Sequence, residues 1–188
     1  MSNCTFVWQK LVAMGICVML TMPIAADEAQ KADPTAQSLK EFNCQGISFS
    51  TSPAEFARRF PQQLKNSKPA DEQIGLKTYV TATSNGDGIS VHFLNGKLFQ
   101  IDLIYQAARL NEMGGIDVFT RKLVDRLGAY DDTTSTPGTG YRHTWNRPCV
   151  NRRAEFSVIS SAVMVSVIDT AMETTLKELR AKNIDLGF

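Results

Sequence analysis

Apolar and polar residues alternate most clearly over residues 89–105 (ISVHFLNGKLFQIDLIY), where a period of two marks paired strands and Asn95-Gly96 marks the turn between them. A plain two-residue loop would set Phe93 opposite Leu98, Val91 opposite Gln100 and Ile89 opposite Asp102, mixing apolar and polar groups on both faces. A three-residue loop, Leu94-Asn95-Gly96 with Gly96 left-handed, instead places Ile89, Val91, Phe93, Phe99, Ile101, Leu103 and Tyr105 on one face. That continuous apolar face favours the second register. The other face then carries Ser90, His92, Leu98, Gln100, Asp102 and Ile104, a mixture that no packed core requires.

The same reading extends along the chain. Ser52-Pro53-Ala54-Glu55 has a hydroxyl cap, proline at the first helical position and glutamate at the third, which predicts a short helix with Phe56 and Phe60 facing the core. Residues 62–75 show almost no periodicity and read as a surface loop, and residues 76–83 (LKTYVTAT) read as a strand leading into the hairpin. Ile116, Phe119, Leu123 and Leu127 recur at helical spacing, with Gly128 just past the end. Residues 131–140 read as a polar loop, residues 141–147 as a half-buried strand, and residues 153–168 as a second hairpin turning near Ser160-Ser161. A final helix follows, capped by Asp169 or Thr170, with a second capping box from Thr170 and Glu173 and an apolar edge of Met172, Leu176 and Leu179.

Residues 1–26 stand apart: Lys10, an apolar run over 11–22 and Pro23-Ile24-Ala25-Ala26 have the order of a secretory signal peptide, and the run is too short for a spanning helix. Residues 27–41 are polar and read as a disordered tether, with a short surface helix as the alternative, and 42–188 read as a single α+β domain that opens with a strand over 47–50. The expected compartment is therefore periplasmic or secreted, with no stable membrane insertion after signal cleavage. Without Lys10 the chain has 19 basic against 19 acidic residues, a balance that argues against nucleic acid as a partner. Cleavage also leaves two cysteines, Cys44 and Cys149, which in an oxidising compartment predicts one disulfide closing a loop of about 105 residues.

Helix, strand and hairpin occur twice in the same order, suggesting an internal repeat over 46–110 and 111–182. Each helix can cover its own three-stranded meander. The predicted fold is α+β: tandem helix-plus-three-strand units forming one antiparallel sheet, with the helices packed on one face. Residues 50–61 (STSPAEFARRFP) resemble the helix-start motif of SmpA/OmlA-type outer-membrane-assembly lipoprotein domains, and residues 122–128 (KLVDRLG) resemble the tail of a second copy. Ser50 and Pro61 stand where that family has glycine. A tandem pair of such units is similar to the architecture of the β-lactamase inhibitor protein, which implies a sheet that binds another protein.

Candidate chemistry is sparse. The chain has two histidines, His92 and His143, and His92 with Asp102 is the one pairing of a base with an orienting carboxylate, although the favoured register sets His92 opposite Leu98. Asp131-Asp132 lacks the roughly six oxygen ligands that a hard cation needs, and no phosphate loop, nucleophile elbow or zinc motif occurs. The expectation is a non-enzymatic protein-binding or inhibitory module with no cofactor and no metal, acting through His92, Leu98, Gln100, Asp102 and Ile104 on the open sheet face. A structural envelope protein supporting outer-membrane assembly and a hydrolase of unrecognised type are the alternatives.

Overall fold

The computed structural model describes residues 33–82, 87–136, 140–159 and 162–185; the expected signal peptide and the first part of the expected tether lie outside them. Eight strands form one antiparallel sheet: β1 (Leu64–Lys65), β2 (Leu76–Ala82), β3 (Gly88–Leu94), β4 (Lys97–Gln106), β5 (Asp132–Thr136), β6 (Gly140–Arg147), β7 (Arg152–Ile159) and β8 (Ala162–Asp169). Their order, β1-β2-β3-β4-β8-β7-β6-β5, is that of two meanders joined edge to edge by β4 and β8. This is the predicted α+β architecture, with β1 and β5 added to the two three-stranded units, whereas residues 47–50, expected as a strand, make only the Cys44–Ile47 bridge and a turn. β1 forms inside the stretch read as a surface loop, and β5 inside the stretch read as a polar loop. Both are the outermost strands, where a Leu-Lys pair or a Thr-rich run suffices to pair on one side and meet water on the other.

The central hairpin corrects the predicted register. Leu94 pairs with Lys97, so the loop is the two residues Asn95 and Gly96, with φ of 51° and 79°. Positive φ at both positions is what a right-twisted hairpin requires of a two-residue turn, and Asn-Gly is the pair that adopts it most readily. Phe93 then pairs with Leu98, but His92 pairs with Gln100, and Phe99 is the extra residue of a β-bulge. Beyond the bulge, Val91 faces Ile101 and Ile89 faces Leu103, which restores the apolar face without a third loop residue. Leu98 thus belongs to that face, among Phe93, Ile101 and Phe56, while Phe99 points to the other side and packs with Leu76, Leu94 and Leu176. The prediction had these two neighbours interchanged.

Helices α1 (Pro34–Lys40), α2 (Pro53–Arg59), α3 (Pro69–Gln73), α4 (Ala107–Glu112), α5 (Ile116–Leu127) and α6 (Thr170–Asp185) complete the fold. The Ser52–Glu55 capping box forms as expected, and Phe56 is fully buried against Val91, Phe93 and Ile101. Helix α1 replaces part of the expected tether: Leu39 is fully buried, the Thr35 hydroxyl bonds to the Leu127 carbonyl, and Arg147 ties the cap residue Asp33 to β6 at 2.7 Å. Helix α5 lies over the same sheet face as α1 and α2, with Trp145 buried beside it and donating its Nε1–H to the Gly128 carbonyl at 2.9 Å.

Helix α6 departs from the one-sided arrangement. Asp169, rather than Thr170, caps it by accepting from the Ala171 and Met172 amides, and Leu176 carries it onto Leu76, Leu94 and Phe99 on the opposite face. Glu173 is consequently free of any capping box. It holds Arg153 of β7 in a two-pronged ion pair at 2.9 Å, and Arg180 reaches Asp71 of α3 at 2.9 Å. Arg153 holds the Glu173 carboxyl below its usual range. Among the described residues no helix is long and apolar enough to cross a membrane.

Because both neighbours at the bulge are covered, one by α2 and the other by α6, Leu98→Ala and Phe99→Ala are each expected to lower stability by about 2–5 kcal/mol in urea unfolding. An exposed side chain at either position would move it by no more than about 0.5 kcal/mol.

Candidate functional site

Among the described residues, α6 meets this sheet face at the end where Leu176 packs on Leu76, Leu94 and Phe99 and where Glu173 holds Arg153. Away from that end, the register aligns Thr78 with His92 and Gln100, and the next row aligns Val80, Ser90, Asp102 and Ser166. These rows place hydroxyls, an imidazole, an amide and a carboxylate side by side on three adjacent strands. The cause is the bulge: with Phe99 inserted, Gln100 and Asp102 fall on the same side as His92.

The groups form a closed network. His92 Nε2 lies 2.7 Å from Asp102 Oδ2, and its Nδ1 lies 3.0 Å from Thr78 Oγ1. Gln100 donates its Nε2–H to Asp102 Oδ1 at 2.8 Å, and Ser90 Oγ lies 3.2 Å from His92 Nε2. A carboxylate only accepts, so the Nε2–H donates to Asp102, which leaves Nδ1 facing the Thr78 hydroxyl. Asp102, Ser90 and Thr78 are buried, whereas the His92 side chain remains 21% exposed. The imidazole edge is therefore presented to solvent by buried partners that fix its tautomer and its angle.

Beyond the network the face becomes more apolar. Leu64, Val80, Ala82 and Ile104, with Asp87 and Gln106 as polar neighbours, line a shallow groove of about 450 Å³. Gly88 leaves its floor open beside Ile104, whose Cβ would stand 3.4 Å from any Cβ added there. On the far side of Ser166, β7 and β6 contribute Glu155, held by Arg153 at 2.7 Å and by Arg142 at 3.6 Å. Polar anchors thus sit between an apolar groove and a charged flank.

Of the five residues expected to bind, the structure brings together His92, Gln100 and Asp102 and sets Ile104 on the same face, one row further along. Leu98 does not join them: it is buried in the core behind Phe93. Sequence reading missed Leu64, which is 72% exposed at the rim of the groove, because a lone leucine among polar residues carries no periodic signal. Thr78 and Ser90 were also missed as partners, since their role depends on the register. His143 is elsewhere, stacked on Tyr130 with ring centroids 4.1 Å apart and paired with Thr133 at 2.8 Å; desolvation lowers its pKa. Asp131 is occupied by Arg147 at 2.8 Å, and among the described residues no group of three or more His, Cys, Asp or Glu side chains could hold a metal.

The expected disulfide is not formed: Cys44 and Cys149 are both free. Cys44 is half-buried in the turn that bridges to Ile47, whereas Cys149 is exposed in the 3-10 turn that follows β6. Burial raises the Cys44 thiol pKa, and the nearby Arg126 only partly offsets this. In protein lacking residues 1–26, both thiols are expected to titrate with a disulfide-exchange reagent at mildly alkaline pH. Cys149 should react first, and a Cys149→Ser variant should react slowly. A non-reduced preparation with no titratable thiol would contradict this arrangement.

No family model, no curated protein and no solved structure matches the chain.

Proposed function

We propose that this is an exported, non-enzymatic protein-binding or inhibitory module that engages its partner through the sheet face bearing the His92 network. The observation that carries the reading is the pairing of a preorganised polar cluster with an adjacent open apolar groove on one rigid sheet. Interface cores combine oriented polar groups with aliphatic surface in this way, and buried second partners reduce the entropy lost when His92 and Gln100 are engaged. The export step, and with it a periplasmic or extracellular module, is supported by the order of charge and apolar residues over 1–26. On this reading the sheet plays the part implied by the resemblance to the β-lactamase inhibitor protein. Support of outer-membrane assembly remains the alternative role for the same face.

One observation favours a second reading, hydrolysis. Thr78, His92 and Asp102 are in line, with hydroxyl and carboxylate on opposite ring nitrogens at 3.0 and 2.7 Å. Two features weigh against it. The Thr78 amide donates to Ser67 Oγ at 2.9 Å, and Ser90 lies mid-ladder between Val80 and Asp102, so the amides beside both hydroxyls are engaged rather than poised for an oxyanion. Thr78 and Ser90 are themselves buried beneath the imidazole.

A Leu64→Lys, Ile104→Lys double variant should leave the thermal unfolding curve nearly unchanged and abolish cross-linked capture of the partner from envelope or medium. Capture at the wild-type level would place the interface elsewhere. Turnover in a broad hydrolase screen that His92→Ala abolishes would favour the second reading.

A further inference from the structure

The opposite side of the sheet holds a cavity that the binding face does not use. It lies beneath α5, is about 240 Å³ in volume, and is walled by Leu103, Val165 and Val167 of the sheet and by Phe119 and Leu123 of the helix. It exists because α5 does not settle fully onto the sheet. Ile116, Phe119, Leu123 and Val124 form the apolar stripe of the helix and pack against the core, yet all four are only partly buried and Leu127 alone on the helix is buried. A stripe of this kind ordinarily closes over the core.

The mouth has a single sign of charge. Lys122 and Arg126, one turn apart on α5, both line the cavity, and among the described residues no carboxylate does. Among the described residues neither cation is within ion-pair distance of an acidic side chain. Tyr105, which also lines the cavity, has its phenol pKa pushed up to about 12, chiefly by burial, and so adds no negative charge at neutral pH. An apolar interior beside two cations is complementary to a hydrocarbon chain ending in an anion.

We infer that the cavity beneath α5 binds an anionic single-chain amphiphile, a medium-chain carboxylate whose tail enters between α5 and the sheet and whose head group meets Lys122 and Arg126. Size sets the chain length. A cavity of about 150 Å³ accommodates benzene, so about 240 Å³ takes on the order of ten carbons. This site and the His92 face lie on opposite sides of the sheet, and neither needs the other.

The test is calorimetric titration of the purified full chain with decanoate, and with decanol and decyltrimethylammonium as matched tails lacking the anion. Decanoate should bind saturably at one site, at least tenfold more tightly than either control. A Lys122→Glu, Arg126→Glu double variant, altered only at exposed positions, should weaken decanoate binding at least tenfold. Decanoate should also shift the methyl resonances of Leu123, Val165 and Val167 in the wild-type protein. Absence of saturable binding, equal affinity for the three amphiphiles, indifference to the charge reversal, or shifts confined to other methyls would each overturn the inference. Loss of capture by the Leu64→Lys, Ile104→Lys variant bears on the other face and leaves this result unaffected.

Discussion

The register of β4 is the constraint on which the rest of the molecule depends. This strand lies at the middle of the sheet, pairs with β3 on one side and β8 on the other, and contributes to both covered faces. Its facing is set within three residues of the turn. Asn95-Gly96 dictates a two-residue loop, which on an unbroken ladder would turn Asp102 into the core; the extra residue at Phe99 reverses the alternation before that happens. Ile101, Leu103 and Tyr105 then reach Val167, Val165 and Val163 in the shared core, while Gln100 and Asp102 reach His92. Phe99 itself would be an exposed aromatic on the second face if α6 did not cross that end of the sheet with Leu176. Bulge, terminal helix and polar network therefore form a single arrangement.

Joining two meanders through β4 and β8 explains the division of labour across the sheet. Residues near the seam are buried on both sides: valines and Ile101 on one, Asp102, Ser166 and Ser157 on the other. Small polar side chains suit the second side because longer neighbours overhang them and their hydroxyls have partners within reach. Towards the outer strands the demand relaxes, and the edges end in a two-residue strand and a Thr-rich strand that offer little apolar surface for further pairing. Helices cover the first face along most of its length but α5 incompletely, and α6 covers part of the second, through Leu176 and through Glu173 on Arg153. The two openings that result differ in chemistry, one polar beside a groove and the other a hydrocarbon pocket with a basic mouth.

Much of this was legible in the sequence, and the exceptions share a physical cause. Helices α2 and α5, the two hairpins and the antiparallel α+β sheet followed from periodicity and from caps such as Ser52 and Gly128. Registers that differ by two residues put the same side chains on the same face. The alternation of Ile89, Val91, Phe93 with Ile101, Leu103, Tyr105 was thus read correctly from a loop that was one residue too long. Only Leu98 and Phe99, between the turn and the bulge, distinguish the two, and they are the pair that was interchanged. The network was underestimated for the same reason, since His92 meets Asp102 only once the bulge is known. Helix α1 was legible only as a surface alternative to a tether, and strand β5 not at all, because tertiary contacts, Leu39 in the core and β6 alongside residues 132–136, stabilise stretches whose local pattern is weak. The position of α6 depends on Leu176 meeting Phe99, a contact between segments far apart in the chain.

Through-space proton contacts across the central hairpin, measured by NMR on the purified protein, test the register of β4 most directly. The bulged ladder predicts contacts of Phe93 with Leu98 and of Val91 with Ile101 in the same spectrum, with Phe99 connected to Leu176. Contacts of Val91 with Phe99, as a three-residue loop requires, or of Val91 with Gln100, as an unbulged ladder requires, would contradict it and would separate His92 from Asp102.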